Sequence, residues 1–159
     1  MKKIIFIMAI FVVVSLIMTS ILMFQNFDLK KQVNSSDLLS HKINAIVEDS
    51  YNSYGKHKDT KYDNYVSDKL YSYLCFRVKK PDIKNEYFSG KVTQLEYDGD
   101  NAKAIYEYTY TAYDKDNAII TSCGVPEPIP VTIKLKYGEI DKNGDEISCW
   151  RITEVFEHP

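Results

Sequence analysis

The chain of 159 residues has few arginines, few glycines and few prolines. Only Arg77 and Arg151 are arginine among its twenty basic residues, and arginine is the preferred residue for bidentate contacts to phosphates and base edges. After the N-terminal segment, eighteen basic residues face twenty-two acidic ones, so this part is net acidic. Six glycines and five prolines exclude a collagen-like or low-complexity chain. The composition predicts a folded protein that does not bind nucleic acid.

The chain is also poor in cysteine. Cys75, Cys123 and Cys149 form no C-x-x-C pair, which argues against a zinc ribbon or a thioredoxin-type site. Three small buried thiols are the expected state. An odd count allows at most one internal disulfide, and the alternative is that Cys123 pairs with Cys149, because both lie in the strand-rich half.

No motif for catalysis or metal binding is present. The three histidines lie far apart, without an H-E-x-x-H pattern, and are predicted to be surface or structural residues: His41, His57 and His158. Residues 141–145 resemble the start of a calcium loop, but Glu146 and Ile152 stand where an EF-hand needs glycine and glutamate. This segment therefore predicts a hairpin turn. The sequence predicts no catalytic residue, no metal site and no cofactor.

The most distinctive segment is an uncharged run from Ile4 to Phe24. As a helix, its twenty-one residues would be about 31 Å long, close to the hydrocarbon thickness of a bilayer. The alternative is a cleaved signal peptide, whose apolar region is shorter and ends in small residues. We predict an uncleaved anchor over 1–25 and a linker over 26–35. Lys2 and Lys3 favour a cytoplasmic N-terminus, which places the remaining chain outside the cell membrane.

The rest of the chain, 36–159, predicts one α+β domain. Apolar spacing indicates a first helix that ends near Gly55 and a second from about Tyr62 to Cys75. The predicted inner side of the first helix consists of Leu39, Ile43, Ile46, Val47 and Tyr54, and that of the second consists of Tyr62, Val66, Leu70, Tyr73 and Leu74. Period-two alternation then predicts strands over 91–97, 102–113, 118–122, 131–140 and 147–156, with the prolines at 126, 128 and 130 in a loop or at an edge. Two to three helices are expected to pack on one face of a curved antiparallel sheet of about five strands.

This order of elements, ending in Trp150-Arg151-Ile152, resembles the nuclear-transport-factor-2-like superfamily, which has a cystatin-like fold. The resemblance covers roughly residues 36–158. Bacterial members of that superfamily often follow a single N-terminal anchor, and they include inner-membrane components of type IV secretion and conjugation systems. The lysine, asparagine, isoleucine and tyrosine content is similar to that of low-GC bacteria. The fold hosts enzymes, binding proteins and scaffolds alike, so the resemblance alone does not select a function.

One strand carries three tyrosines on the same face, Tyr106, Tyr108 and Tyr110, between alanines. They are predicted to be core residues; the alternative, suggested by the conical cavity of the resembled fold, is that they line a ligand pocket.

The leading functional hypothesis is a membrane-anchored, non-enzymatic binding or scaffold domain of the bacterial cell envelope. Its partner would be an envelope protein or a second copy of the chain. The alternative function is binding of a small ligand or an envelope fragment in the tyrosine-lined cavity.

Overall fold

The computed structural model describes residues 18–19, 36–77, 82–138 and 148–158. The chain divides into two units, Met1–Leu38 and Leu39–Pro159. Of the predicted membrane anchor, only Met18 and Thr19 are described, and the linker over 26–35 lies outside the described residues. Within the described ranges, no helix is long and apolar enough to cross a membrane.

The first helix, α1, is described over residues 36–52. From Leu39 onward, one stripe of its side chains is buried: Leu39, Ile43, Ile46, Val47, Ser50 and Tyr51. The helix ends in a Schellman-type cap, in which the Gly55 N–H donates to the Ser50 carbonyl at 2.7 Å. Tyr54 takes the left-handed conformation, with φ +57°, and is exposed. The predicted stop near Gly55 is confirmed, but Tyr54 does not belong to the buried stripe.

The second predicted helix, over 62–75, is wrong in extent. The structure has a 3-10 turn at Thr60–Tyr62 and a separate short helix, α2, at Asp68–Tyr73. Ser67 caps α2 by accepting a hydrogen bond from the Leu70 N–H at 3.3 Å, so the helix starts there. The shift in helical frame buries Tyr71 and leaves Tyr73 exposed, whereas the sequence pattern placed Tyr73 on the inner side.

The loop before α2 is held by one lysine. The Lys58 amine donates to the Val66 carbonyl at 2.9 Å and pairs with Asp63 and Asp68, each at 2.9 Å. These contacts hold residues 58–67 in a path that is not α-helical, which the apolar spacing did not reveal.

Five antiparallel strands follow the helices: β1 Asn85–Asp98, β2 Asn101–Tyr113, β3 Ile119–Cys123, β4 Ile129–Tyr137 and β5 Trp150–Glu157. The order in the sheet is β1-β2-β4-β5, and β3 pairs with the end of β2 that β4 does not cover. Pro126 and Pro128 lie in the loop between β3 and β4, as predicted, while Pro130 belongs to β4. The predicted α+β class with an open, curved antiparallel sheet is confirmed.

The sheet has two different faces because alternate residues of each strand point to opposite sides. The inner face packs against the helices and builds the core, with Ala104, Val131, Ile133 and Ile152 almost fully buried. The outer face of β2 carries Lys103, which is exposed. Strand β1 begins at Asn85, six residues before the predicted start at Lys91, and therefore forms a long edge of the sheet.

Candidate functional sites

The inner face of β2 holds the three tyrosines that the sequence singled out. Tyr106, Tyr108 and Tyr110 are exposed by only 1%, 4% and 0%. Two phenylalanines pack against this row: the Phe76 ring stacks on Tyr108 with centroids 4.6 Å apart, and the Phe88 ring lies 5.9 Å from Tyr108. These rings occupy the space between sheet and helices where the alternative hypothesis places a ligand. Side-chain packing is thus the role that the described contacts show for the tyrosines, while ligand binding there stays a prediction.

Two of the three hydroxyls of this row are paired with carboxylates. Tyr110 donates to Glu86 Oε2 at 2.9 Å, and Tyr108 donates to Glu157 Oε1. Burial raises the pKa of Tyr108, and the adjacent Glu157 carboxylate raises it further. The Tyr108 phenol is therefore held in the protonated form as a hydrogen-bond donor, which is a structural role rather than that of a base.

The Glu86 carboxylate also pairs with Arg77, one of the two arginines. The Arg77 guanidinium stacks on two rings, 3.7 Å from the Tyr54 centroid and 4.5 Å from the Tyr51 centroid. A planar guanidinium can make an ion pair and stack at the same time, whereas a lysine ammonium cannot. This cluster, which we call the arginine cluster (Arg77, Glu86, Tyr51 and Tyr54), fastens the chain after α2 to α1 and β1.

Sequence reasoning missed the arginine cluster. The available signal was the rarity of arginine: a chain that uses eighteen lysines has kept Arg77 at a stacked, largely buried position. Its ion-pair partner could not be identified from local patterns, because the register of β1 decides that Glu86 faces inward.

The outer face of the sheet carries charged side chains in two neighbouring rows across the strands. In the first row, Glu96 lies opposite Lys103 on β2, Lys103 lies opposite Lys134 on β4, and Lys134 lies opposite Glu154 on β5. All four are exposed. Lys134 and Glu154 form an ion pair with an N–O distance of 2.7 Å. The central strands therefore carry the positive charge of this row, and the edge strands carry the negative charge.

The second row lies two residues along the strands, and it carries negative charge on β1 and positive charge on β4 and β5. Asp98 lies opposite Asn101, Asn101 opposite Lys136, and Lys136 opposite Arg151. The two rows border an open groove of about 600 Å³, a volume within the range of ligand sites. We call this feature the outer groove; its lining residues are Glu96, Tyr97, Asp98, Asn101, Ala102, Lys103, Lys134, Leu135, Lys136, Thr153 and Glu154.

The histidines are not brought together with each other. His41 lies on α1, His57 in the loop before the 3-10 turn and His158 after β5, and all three are exposed. The His158 ring nitrogen Nε2 hydrogen-bonds with the Thr132 hydroxyl at 2.8 Å. Among the described residues, no three His, Cys, Asp or Glu side chains are grouped as a metal site requires. The turn predicted over 141–145 lies outside the described residues.

None of the three cysteines, all of which lie in the described ranges, forms a disulfide. Cys123 lies opposite Tyr110, whereas Cys149 precedes Trp150, which aligns through β4 with the Asn101 end of β2. Nine residues of extended strand separate Tyr110 from Asn101, about 30 Å. A disulfide needs Cα atoms less than about 7 Å apart, so the alternative of a Cys123–Cys149 disulfide is wrong for this fold.

No protein-family model, no curated protein and no solved structure matches the chain. The resemblance to the nuclear-transport-factor-2-like superfamily accordingly stays a prediction.

Proposed function

We propose that the chain is a membrane-anchored binding or scaffold protein of the bacterial cell envelope, whose folded domain contacts a protein partner through the outer face of its sheet. Residues 4–24 would hold it in the cell membrane, with the N-terminus in the cytoplasm and the domain outside. Anchoring would confine the domain to the membrane plane and so raise the effective concentration of neighbouring partners.

The outer groove is the observation that carries this proposal. The helices cover the inner face of the sheet, where the Tyr108 and Tyr110 hydroxyls are hydrogen-bonded and Glu86 pairs with Arg77. The outer face instead presents exposed charges on four strands around a groove. Exposed and regularly arranged charge of this kind adds little to folding stability, because surface ion pairs contribute about 0–1 kcal/mol each. We therefore infer that the exposed charges of the outer face contribute to recognition of a partner more than to folding stability.

Site-specific photo-crosslinking in native membranes tests the partner contact. A photoreactive phenylalanine analogue at Ser89 or Gln94, both exposed on β1, is expected to give one discrete protein adduct. The same analogue at Lys69 or Ser72, exposed on α2, is the matched control and is expected to give none. Equal labelling from both sets of positions would contradict recognition by the sheet.

Fractionation tests the anchor independently. The full chain is expected in the membrane pellet after an alkaline carbonate wash, because a spanning helix resists extraction whereas a peripheral contact does not. A mature polypeptide recovered from the medium and starting beyond Ser20 would show that the N-terminal segment is a signal peptide.

A further inference from the structure

The outer face of the sheet breaks the pairing rule of antiparallel sheets twice, once between two residues of the outer groove and once between a groove residue and Arg151. Lys103 lies directly opposite Lys134, and in the next row Lys136 lies directly opposite Arg151. Side chains in such positions have Cβ atoms about 5 Å apart, and like charges there are destabilising. A chain that is net acidic outside its N-terminal segment has thus placed four cations side by side on three adjacent strands. A repeated local conflict of this kind is typical of a binding surface.

The acidic residues of the groove relieve this conflict only in part. Glu154 pairs with Lys134 at 2.7 Å. Among the residues that the structure describes, Lys103 and Lys136 make no ion pair, although both are exposed in the groove. Within the described ranges, two ammonium groups on neighbouring strands thus have no carboxylate within ion-pair distance.

We propose that the outer groove binds an extended acidic segment of a partner protein, with carboxylates placed over Lys103 and Lys136. This inference rests on the proposed function and names the chemistry of the partner. The two rows lie two residues apart along the strands, about 6.8 Å. Side chains on one side of an extended peptide repeat at the same spacing, so successive carboxylates of an acidic strand match successive rows. A compact single anion would engage one row only.

The geometry disfavours a second copy of the chain as the occupant. A symmetric dimer centred on the groove brings the residues nearest the two-fold axis against their own copies. Here that places Lys103 and Lys134 of one molecule over the same lysines of the other, which adds repulsion. An acidic segment supplies the opposite charge along the central strands, between the acidic side chains of β1 and β5.

The test uses the full chain in non-ionic detergent micelles and a fluorescent hexaglutamate peptide, with binding followed by anisotropy. The variant Lys103→Gln/Lys136→Gln is compared with Lys91→Gln/Lys115→Gln, which removes two exposed lysines outside the groove. The wild type and the control are expected to bind equally, and the groove variant about fivefold more weakly. Binding is expected to weaken as NaCl rises from about 0.05 to 0.5 M, because salt screens exposed charges.

Three results would overturn the inference: equal affinity of the two double variants, equal binding of a hexalysine peptide, or binding to phosphatidylglycerol vesicles without binding to hexaglutamate. The last result would assign the groove to a lipid surface. Because all four positions are exposed, unchanged melting temperatures verify that the variants fold. If crosslinking at Ser89 recovers a partner while hexaglutamate does not bind, the acidic segment is wrong and the proposed function stands.

Discussion

The two faces of the sheet differ in how their polar side chains are paired. On the inner face, the hydroxyls of Tyr108 and Tyr110 reach carboxylates, and Glu86 also pairs with the stacked Arg77. On the outer face, Lys103 faces Lys134 across the strands without an ion pair of its own among the described residues. Buried polar groups must be paired or they cost free energy, whereas exposed charges are under no such demand. The inner face is therefore constrained by folding, and the outer face is free to serve recognition.

The largest expected change in the free energy of unfolding comes from one of two neighbouring residues of β2, and the other should have almost no effect. Tyr106→Ala removes a ring that is 1% exposed and is expected to lower the free energy of unfolding by about 3–5 kcal/mol through cavity formation. Glu107→Ala, on the outer face of the same strand, should change it by less than about 0.5 kcal/mol. Equilibrium unfolding of the full chain in urea measures both. Similar losses for the two variants would contradict the difference between the faces.

The second prediction compares a buried ion pair with an exposed one. Glu86→Ala leaves the Arg77 guanidinium largely buried without its carboxylate and is expected to cost about 3 kcal/mol. Glu154→Ala breaks the exposed pair with Lys134 and should cost less than about 1 kcal/mol.

The rescue variant is Glu86→Leu/Arg77→Met, measured in the same urea titration. Replacing both charges with apolar side chains should restore the part of the lost stability that comes from the unpaired charge, because no such charge then stays buried. The Tyr110 hydroxyl lacks its Glu86 acceptor in both variants, so its contribution does not change between them. If the double variant is as unstable as Glu86→Ala, the loss does not come from the uncompensated charge of Arg77.

The inner face of β2 could be predicted from the sequence, whereas its polar contacts could not. Strict alternation from Ala102 to Ala112 identified the buried side correctly, because a half-buried strand imposes a two-residue period. Tyr108 and Glu157, however, are forty-nine residues apart. Their meeting depends on the register of β2, β4 and β5, and no local pattern encodes that register.

The helices were also predicted correctly only where a local sequence pattern was enough. The stripe over Leu39, Ile43, Ile46 and Val47 was correct because α1 is regular. The second helix was predicted too long because the apolar residues keep a 3.6-residue spacing through residues 62–67. The contacts of Lys58 hold this segment outside an α-helix. The outer groove was missed for a third reason: its cationic pairs come from three different strands, and they become neighbours only once the strands are aligned.

The third prediction concerns alkaline pH. Burial and the hydrogen bond to Asp49 raise the pKa of Tyr71 to about 12, from an ordinary value of 10.0. The unfolded chain loses this proton first as pH rises, so the stabilisation is complete below pH 10 and declines between pH 10 and about 12. Urea unfolding across this pH window should show a shallower loss of stability for Tyr71→Phe than for the wild type.

Tyr73→Phe is the control for this measurement, because Tyr73 lies on the same short helix with its side chain exposed. It should follow the wild-type pH profile. A Tyr71→Phe profile identical to that of the wild type would show that this phenol is not the group that ties stability to pH.

The variant with the smallest expected effect tests the difference between the two faces of the sheet most directly. It is expected to raise the free energy of unfolding and to weaken binding of the acidic peptide. Lys136→Glu replaces a like-charge pair with an opposite-charge pair across from Arg151 and should raise the free energy of unfolding by about 0.5 kcal/mol. The same change adds a negative charge to the outer groove and should weaken hexaglutamate binding more than Lys136→Gln does. Urea unfolding and anisotropy measure the two effects. If Lys136→Glu destabilises the fold while leaving binding unchanged, the cationic pairs of the outer face serve folding, and the division of roles between the two faces fails.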